Sequence, residues 1–225
     1  MEQIIRPVSS ISIDALFAEY VAGLLKRPEK VLVETHLDIN PVNRKWVLSL
    51  EGLGGHSLDH GPEEAIEERD QMLASILNSS EQEAASKDGL KPYRFDRSDD
   101  WMPAPLRQFL GLSTKEIPWR RIIPGIHVYK MKNVDGCDVK LLRIKAGAAI
   151  PSHTHDGREL ALVLKGSFED GEGQYQRGDV SIADESVDHK PVAGMSEECI
   201  CLFISDASVR FTGLIGRFIS SFFPR

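Results

Sequence analysis

The hydrophobic rhythm of the chain changes partway along. Over residues 1–78 apolar side chains recur at helical spacing: Leu16, Tyr20 and Leu24 with Phe17 and Val21 beside them, then Ile66, Leu73 and Leu77. A period of 3.6 residues brings positions i, i+3 and i+4 to one face, so these stretches predict amphipathic helices. Four are expected, in SIDALFAEYVAGLL, RPEKVLVETHLDI, PVNRKWVLSLEGLGG and GPEEAIEERDQMLASILNS. Ser12 or Asp14 can cap the first. Pro28 and Pro41 stand in first turns, where a missing N–H costs nothing, and glycines close the third helix.

Residues 79–100, SSEQEAASKDGLKPYRFDRSDD, are polar and without period, which predicts a linker. From Trp101 onward short apolar or alternating runs take over: GIHVYKM, CDVKLLRIKAG, ELALVLKGSF, DVSIA, HKPVAG and ECICLFIS. Strands at roughly ten-residue intervals, broken by Gly, Pro and Asp, predict a β-sandwich or barrel. The expected class is therefore α+β: a short helical domain over 1–78, a linker over 79–100 and a mostly antiparallel β-domain over 101–225.

Charge adds a constraint. The formal net charge is -7, and residues 1–78 hold 7 Lys/Arg against 13 Asp/Glu while the rest is nearly balanced at 20 against 21. An acidic helical half repels phosphate backbones, which argues against direct nucleic-acid binding and suits a basic protein partner. The first ten residues lack a basic-then-apolar leader and no 18-residue apolar run occurs, so a cytoplasmic protein is expected. Three cysteines at Cys137, Cys199 and Cys201 fit neither a disulfide framework nor a CxxC zinc ribbon, in keeping with a reducing compartment. Cys199 and Cys201 alternate on a strand and face the same way. With Glu197 and Glu198 next to them they read as small buried hydrophobes with raised thiol pKa values rather than as redox sensors.

The densest chemistry lies in PSHTHDGREL. On a strand His153 and His155 project to one side, and Glu159, after a tight DGR segment, opens the next strand where its side chain can return to them. Imidazole nitrogen and carboxylate oxygen are ligands for borderline divalent metals, and His189 supplies a fourth candidate thirty residues on.

These residues resemble a known pattern. Gly147, His153, His155, Glu159 and Gly166 match the first motif of the cupin superfamily, and Gly178-Asp179 followed by His189 match the second. The departures at Gln176, Asp184 and Ala193 fall on turn and support positions. The resemblance implies a double-stranded β-helix with His153, His155, Glu159 and His189 as ligands of one divalent metal, zinc first, with iron, manganese or nickel as alternatives.

Across nearly the whole chain the order of elements, with RGDVSIADESVDHKPVAG and ECICLFISDASVRF, is similar to the ChrR family of anti-sigma factors. That resemblance implies a helical domain that grips an extracytoplasmic-function sigma factor and a cupin that takes part in sensing oxidative stress. One departure is large. The family's helical domain carries a zinc site on H-x-x-x-C-x-x-C, whereas HLDINPVN keeps His36 but has Asn40 and Asn43 in place of the thiolates. One imidazole cannot fix a tetrahedral structural site, so no zinc is expected in the helical domain. Apolar packing around Phe17, Trp46 and Leu50 is expected to hold it instead.

A second class stays open at this point: a metal-dependent cupin enzyme, a dioxygenase or hydrolase. It lacks an evident general acid or base, since His127 in the HVY strand reads as structural. The tail RFTGLIGRFISSFFPR, with Phe211, Ile215, Phe218 and Phe222 in helical register, is expected to pack on its own domain or on a second copy in a homodimer rather than on a membrane.

Overall fold

The computed structural model describes residues 12–62, 65, 67–78, 101–131, 133–207 and 209–212. The expected linker, Ile66 and the C-terminal stripe beyond Thr212 lie outside them. Among the described residues up to Asn78 there are four helices, as the period predicts: α1 (Ile13–Val21), α2 (Arg27–Ile39), α3 (Pro41–Asp59) and α4 (Arg69–Asn78). Ser12 rather than Asp14 caps α1, accepting from the Ala15 amide, and Glu29 folds back to accept from the Lys26 amide at 2.9 Å, closing the start of α2.

The region after Trp101 does not begin with a strand. A fifth helix, α5 (Ala104–Leu110), buries Leu106 and Leu110 and packs on α2. Its signals are Pro105 in the first turn and Gly111 after the last, where φ of 64° favours glycine. At seven residues it is too short to display a period.

Among the described residues eleven strands follow: β1 (Arg120–Ile123), β2 (Ile126–Lys130), β3 (Asp138–Ile144), β4 (His153–His155), β5 (Glu159–Lys165), β6 (Ser167–Glu169), β7 (Gln174–Gln176), β8 (Val180–Ala183), β9 (Val192–Ala193), β10 (Cys199–Ser205) and β11 (Val209–Phe211). All ladders are antiparallel, in sheets ordered β1-β2-β3-β10-β5-β8, β7-β6-β9 and β11-β4. Short bridges at Ala149–Val192 and His153–His189 stitch the small sheets together. The result is the antiparallel barrel that the cupin resemblance implies.

The unbroken apolar runs ELALVL and CICLFIS have a structural cause. One face of β5 and β10, with Leu160, Leu162, Leu202 and Ile204, packs against Leu16, Phe17, Leu32 and Leu37 of the helices. The opposite face, with Ala161, Val163, Cys201 and Phe203, fills the barrel interior against Phe168 and Ala193. Strands buried on both faces cannot alternate polar with apolar. The helical half and the barrel therefore share a core.

Two expectations about that core fail. Phe17 is buried and Leu50 packs at its edge, but Trp46 is 48% exposed. Leu24, Leu73 and Leu77 are exposed as well; Val47 is the one fully buried side chain of α3, and α4 buries none among the described residues. The helical periods were real, yet the stripes of α3 and α4 do not face the core. The helical side of the core comes mainly from α1, α2 and α5, with Val47 and Leu50 of α3 at its edge, while α4 adds no buried side chain among the described residues.

Candidate metal centre

Strand geometry builds the centre. Alternation on β4 sends His153 and His155 inward together, and β5 starts at Glu159, directly opposite Ser205 of β10. His189 arrives from another direction and is locked in place by reciprocal backbone hydrogen bonds with His153, each 3.1 Å. The four residues, each 7% exposed or less, bring their ligand atoms within 4.8 Å of one another. The spacing read in the sequence thus becomes a quartet inside the barrel.

The nitrogens that converge are the Nε2 atoms. His189 Nε2 lies 3.1 Å from both His153 Nε2 and His155 Nε2, and His155 Nε2 is 3.5 Å from Glu159 Oε1. On the outer side of the rings His153 Nδ1–H donates to the Pro151 carbonyl at 2.9 Å, and His189 Nδ1–H donates to Asp170 Oδ2 at 2.9 Å. Those two bonds place each ring's proton on Nδ1 and leave an Nε2 lone pair pointing at the other. Two lone pairs at 3.1 Å repel unless a cation or a proton lies among them. His155 Nδ1 is buried and unpartnered, so no hydrogen bond opposes use of its Nε2 as a donor atom to a metal.

Electrostatics agrees. Burial first, and the neighbouring imidazoles second, push His153 down to about 4 and His155 to about 3, so both rings are neutral and able to coordinate near pH 7. Burial lifts Glu159 to about 7. A desolvated carboxylate among neutral imidazoles lacks a positive charge, and a divalent cation is what these residues could hold.

Asp170 belongs to this arrangement, and no motif pointed to it. It sits at the end of β6 with its side chain fully buried. Burial opposes its ionisation, but hydrogen bonds from His189 and from the amides of Glu172 and Gly173 prevail and hold its carboxyl below the usual range. In the sequence, EDGEG reads as turn chemistry alone.

The remaining candidates fall elsewhere. His127 lies half-buried on β2, paired in the ladder with Arg121 and Arg143, and takes no part in the quartet. Cys199 and Cys201 do face the same way, with Sγ atoms 3.5 Å apart in the barrel interior. The Cys201 thiol is raised by its hydrogen bond with Cys199 and by burial, not by Glu197 and Glu198; the latter is engaged by Arg143 and Lys165. His36 is buried on α2, donating from Nδ1 to the Gly178 carbonyl at 2.7 Å and accepting at Nε2 from the Asn43 amide at 2.8 Å. Asn43, one of the two asparagines of HLDINPVN, thus engages the Nε2 of His36.

An antiparallel barrel with three histidines and a glutamate converging inside it, joined to a helical half, defines a cupin with a metal-competent centre. Residues 107–209 match the family described as ChrR Cupin-like domain. Over 210 residues the chain is 32% identical to the anti-sigma-E factor ChrR of Cereibacter sphaeroides, covering 93% of this chain and 95% of that one. It is also similar to a solved structure, Rhodobacter sphaeroides SigE in complex with the anti-sigma ChrR, with a TM-score of 0.69 and 32% identity over 88% of this chain and 99% of that chain. The chain belongs to the ChrR family of anti-sigma factors.

Proposed function

We propose that this chain is an anti-sigma regulator: its helical half sequesters an extracytoplasmic-function sigma factor, and its cupin, holding one zinc on His153, His155, Glu159 and His189, reports oxidative stress or a small ligand in the cytoplasm. The observation that carries the reading is the exposed apolar surface that α3 and α4 present among the described residues. Val42, Trp46 and Leu53 form one stripe on α3, and Met72, Leu73, Ile76 and Leu77 form another on α4, all exposed. Contiguous apolar surface of this kind marks a protein interface rather than a solvated face. The relative of known structure is seen with SigE. A helical half with 13 acidic against 7 basic residues suits the basic surface of a DNA-binding protein.

Zinc is favoured by the donor set of three imidazoles and one carboxylate. The four ligand residues are each 7% exposed or less, which narrows the approach of a bulky substrate and favours a sensor over the dioxygenase or hydrolase reading. No helix among the described residues is long and apolar enough to cross a membrane. The test is co-expression of the full chain with each extracytoplasmic-function sigma factor of the source organism, followed by metal analysis. A sigma factor that co-purifies, with one zinc per chain, supports the reading; no partner among them overturns it.

A further inference from the structure

We infer that Arg158 couples the metal quartet to the helical half by clamping α1 and α2 to the three-residue segment that joins two of the ligands. Arg158 lies between His155 and Glu159, adjacent to the latter. Its guanidinium donates to Glu19 of α1 at 2.9 Å and to Glu29 of α2 at 2.5 Å. The Arg158 side chain is 18% exposed and that of Glu29 8%, so the inner bond is shielded from water and salt. Most surface ion pairs lack that shielding.

Both ends of the clamp are held. On the helical side Glu29 divides its carboxylate: Oε1 takes Arg158 and Oε2 takes the Lys26 amide, so the group that receives the arginine also fixes the first turn of α2. On the barrel side the backbone has little freedom. A Cβ on Gly157 would meet Asp206 Oδ1 at 2.5 Å and Ala207 Cβ at 2.8 Å, and the Asp206 amide donates to the Arg158 carbonyl at 3.3 Å. Packed this closely on Asp206 and Ala207, the segment has little room to take up a displacement of Glu159 or His155, which would then pass to the guanidinium.

The clamp has a counterpart at the other end of α2. His36 bonds the Gly178 carbonyl, and the Gly178 amide bonds the Val163 carbonyl, so through Gly178 this end of α2 is tied to β5. From Glu29 to His36 the helix rises about 10 Å, and from Glu159 to Val163 the strand runs about 13 Å, so the helix lies along the strand that carries the metal glutamate. His36 anchors the end far from the metal. Arg158 anchors the near end, where metal occupancy changes what Glu159 must do.

This inference rests on the reading of the quartet as a zinc site and is independent of any sigma factor. Coupling is reciprocal: if zinc tightens the clamp by some factor, the clamp tightens zinc by the same factor. The experiment is zinc titration of the full chain against a chromophoric chelator, with amide exchange of α1 and α2 followed in parallel. Glu19→Gln sits on a helix, away from the quartet, and Arg158→Gln removes the cation. Both are expected to weaken zinc several-fold, while Glu34→Gln, which opens a 3.9 Å pair with the exposed Lys30, leaves it unchanged. In the wild type, zinc is expected to slow exchange in α1 and α2, and in Arg158→Gln this response is lost even if that variant is less stable. Wild-type zinc affinity in both Glu19→Gln and Arg158→Gln, or a zinc response in the helices that survives Arg158→Gln, overturns the coupling. Either result leaves sigma binding to be judged by co-purification alone.

Discussion

The Asp170 carboxylate receives the Nδ1 proton of His189 at 2.9 Å, with its side chain wholly out of solvent. That bond decides which imidazole nitrogen faces the centre. Asp170 uses its other oxygen for the amides of Glu172 and Gly173. In Asp170→Asn one carboxamide oxygen cannot serve both sides. If it keeps the turn, its NH₂ faces His189 Nδ1 and drives the ring proton to Nε2, the atom needed by a metal. Zinc affinity is expected to fall about 10- to 100-fold, the usual effect of losing a carboxylate behind a ligating histidine. Competition titration measures it, and affinity within twofold of wild type refutes the positioning role.

The metal-free protein should show an unusual pH profile. Burial depresses His153 to about 4 and His155 to about 3 from 6.5, and raises Glu159 from 4.5 to about 7. Between the depressed values and 6.5 the unfolded chain binds more protons at each histidine, so stability rises with pH. Between 4.5 and about 7 the folded chain keeps a proton on Glu159 that the unfolded chain has lost, so stability falls. Two histidines outweigh one glutamate up to 6.5, and only the glutamate acts from there to about 7. The unfolding midpoint of chelator-treated protein is expected to climb from pH 4 to 6.5 and then dip slightly towards 7. Zinc affinity should rise with pH up to about 7 as Glu159 gives up its proton. Thermal scans with and without zinc test both, and a midpoint that falls steadily from pH 4 to 6.5 refutes the assignment.

How much of this was legible in the sequence follows from the range of each signal. His153, His155 and Glu159 lie within seven positions, and the two-residue period of a strand announces that the histidines share a side. Asp170 reaches His189 across 19 positions through a hydrogen bond, and no local period encodes such a bond. Arg158 stood in plain view beside Glu159, but its partners Glu19 and Glu29 are 139 and 129 positions away. Trp46 misled for a different reason. Helical period identifies an apolar stripe without saying what covers it, and here α2, not α3, lies along the sheet.

His36 should be structural. It neighbours Phe17, with ring centroids 5.5 Å apart, and bonds to Gly178 and Asn43 through both nitrogens. Burial is the main cause of its lowered pKa, so the ring is neutral and can donate from one nitrogen while accepting at the other. His36→Ala strands a buried carbonyl and opens a cavity, at an expected cost of about 2–4 kcal/mol in urea unfolding. Asn43→Ala removes one donor and should cost about 1 kcal/mol. Zinc content per chain is expected to be unchanged in both, and its loss on changing His36 would place a metal in the helical half after all.

The apolar surface of α3 and α4 separates binding from folding. Leu53 is 64% exposed and Ile76 66%, so truncating either removes little that the isolated chain buries. Leu53→Ala and Ile76→Ala should each shift the chain's own stability by no more than about 0.5 kcal/mol. If the stripes are where a sigma factor docks, the same truncations expose a gap in a desolvated interface and each should weaken the complex by about 1–2 kcal/mol, mostly through faster dissociation. The acidic residues around the stripes act on encounter instead, so raising salt should slow association while leaving the effect of the two truncations on dissociation in place. Surface plasmon resonance at two salt concentrations distinguishes these contributions. Wild-type dissociation rates in both variants would mean that the exposed leucine and isoleucine serve some other contact and that the sigma factor docks elsewhere on the helices.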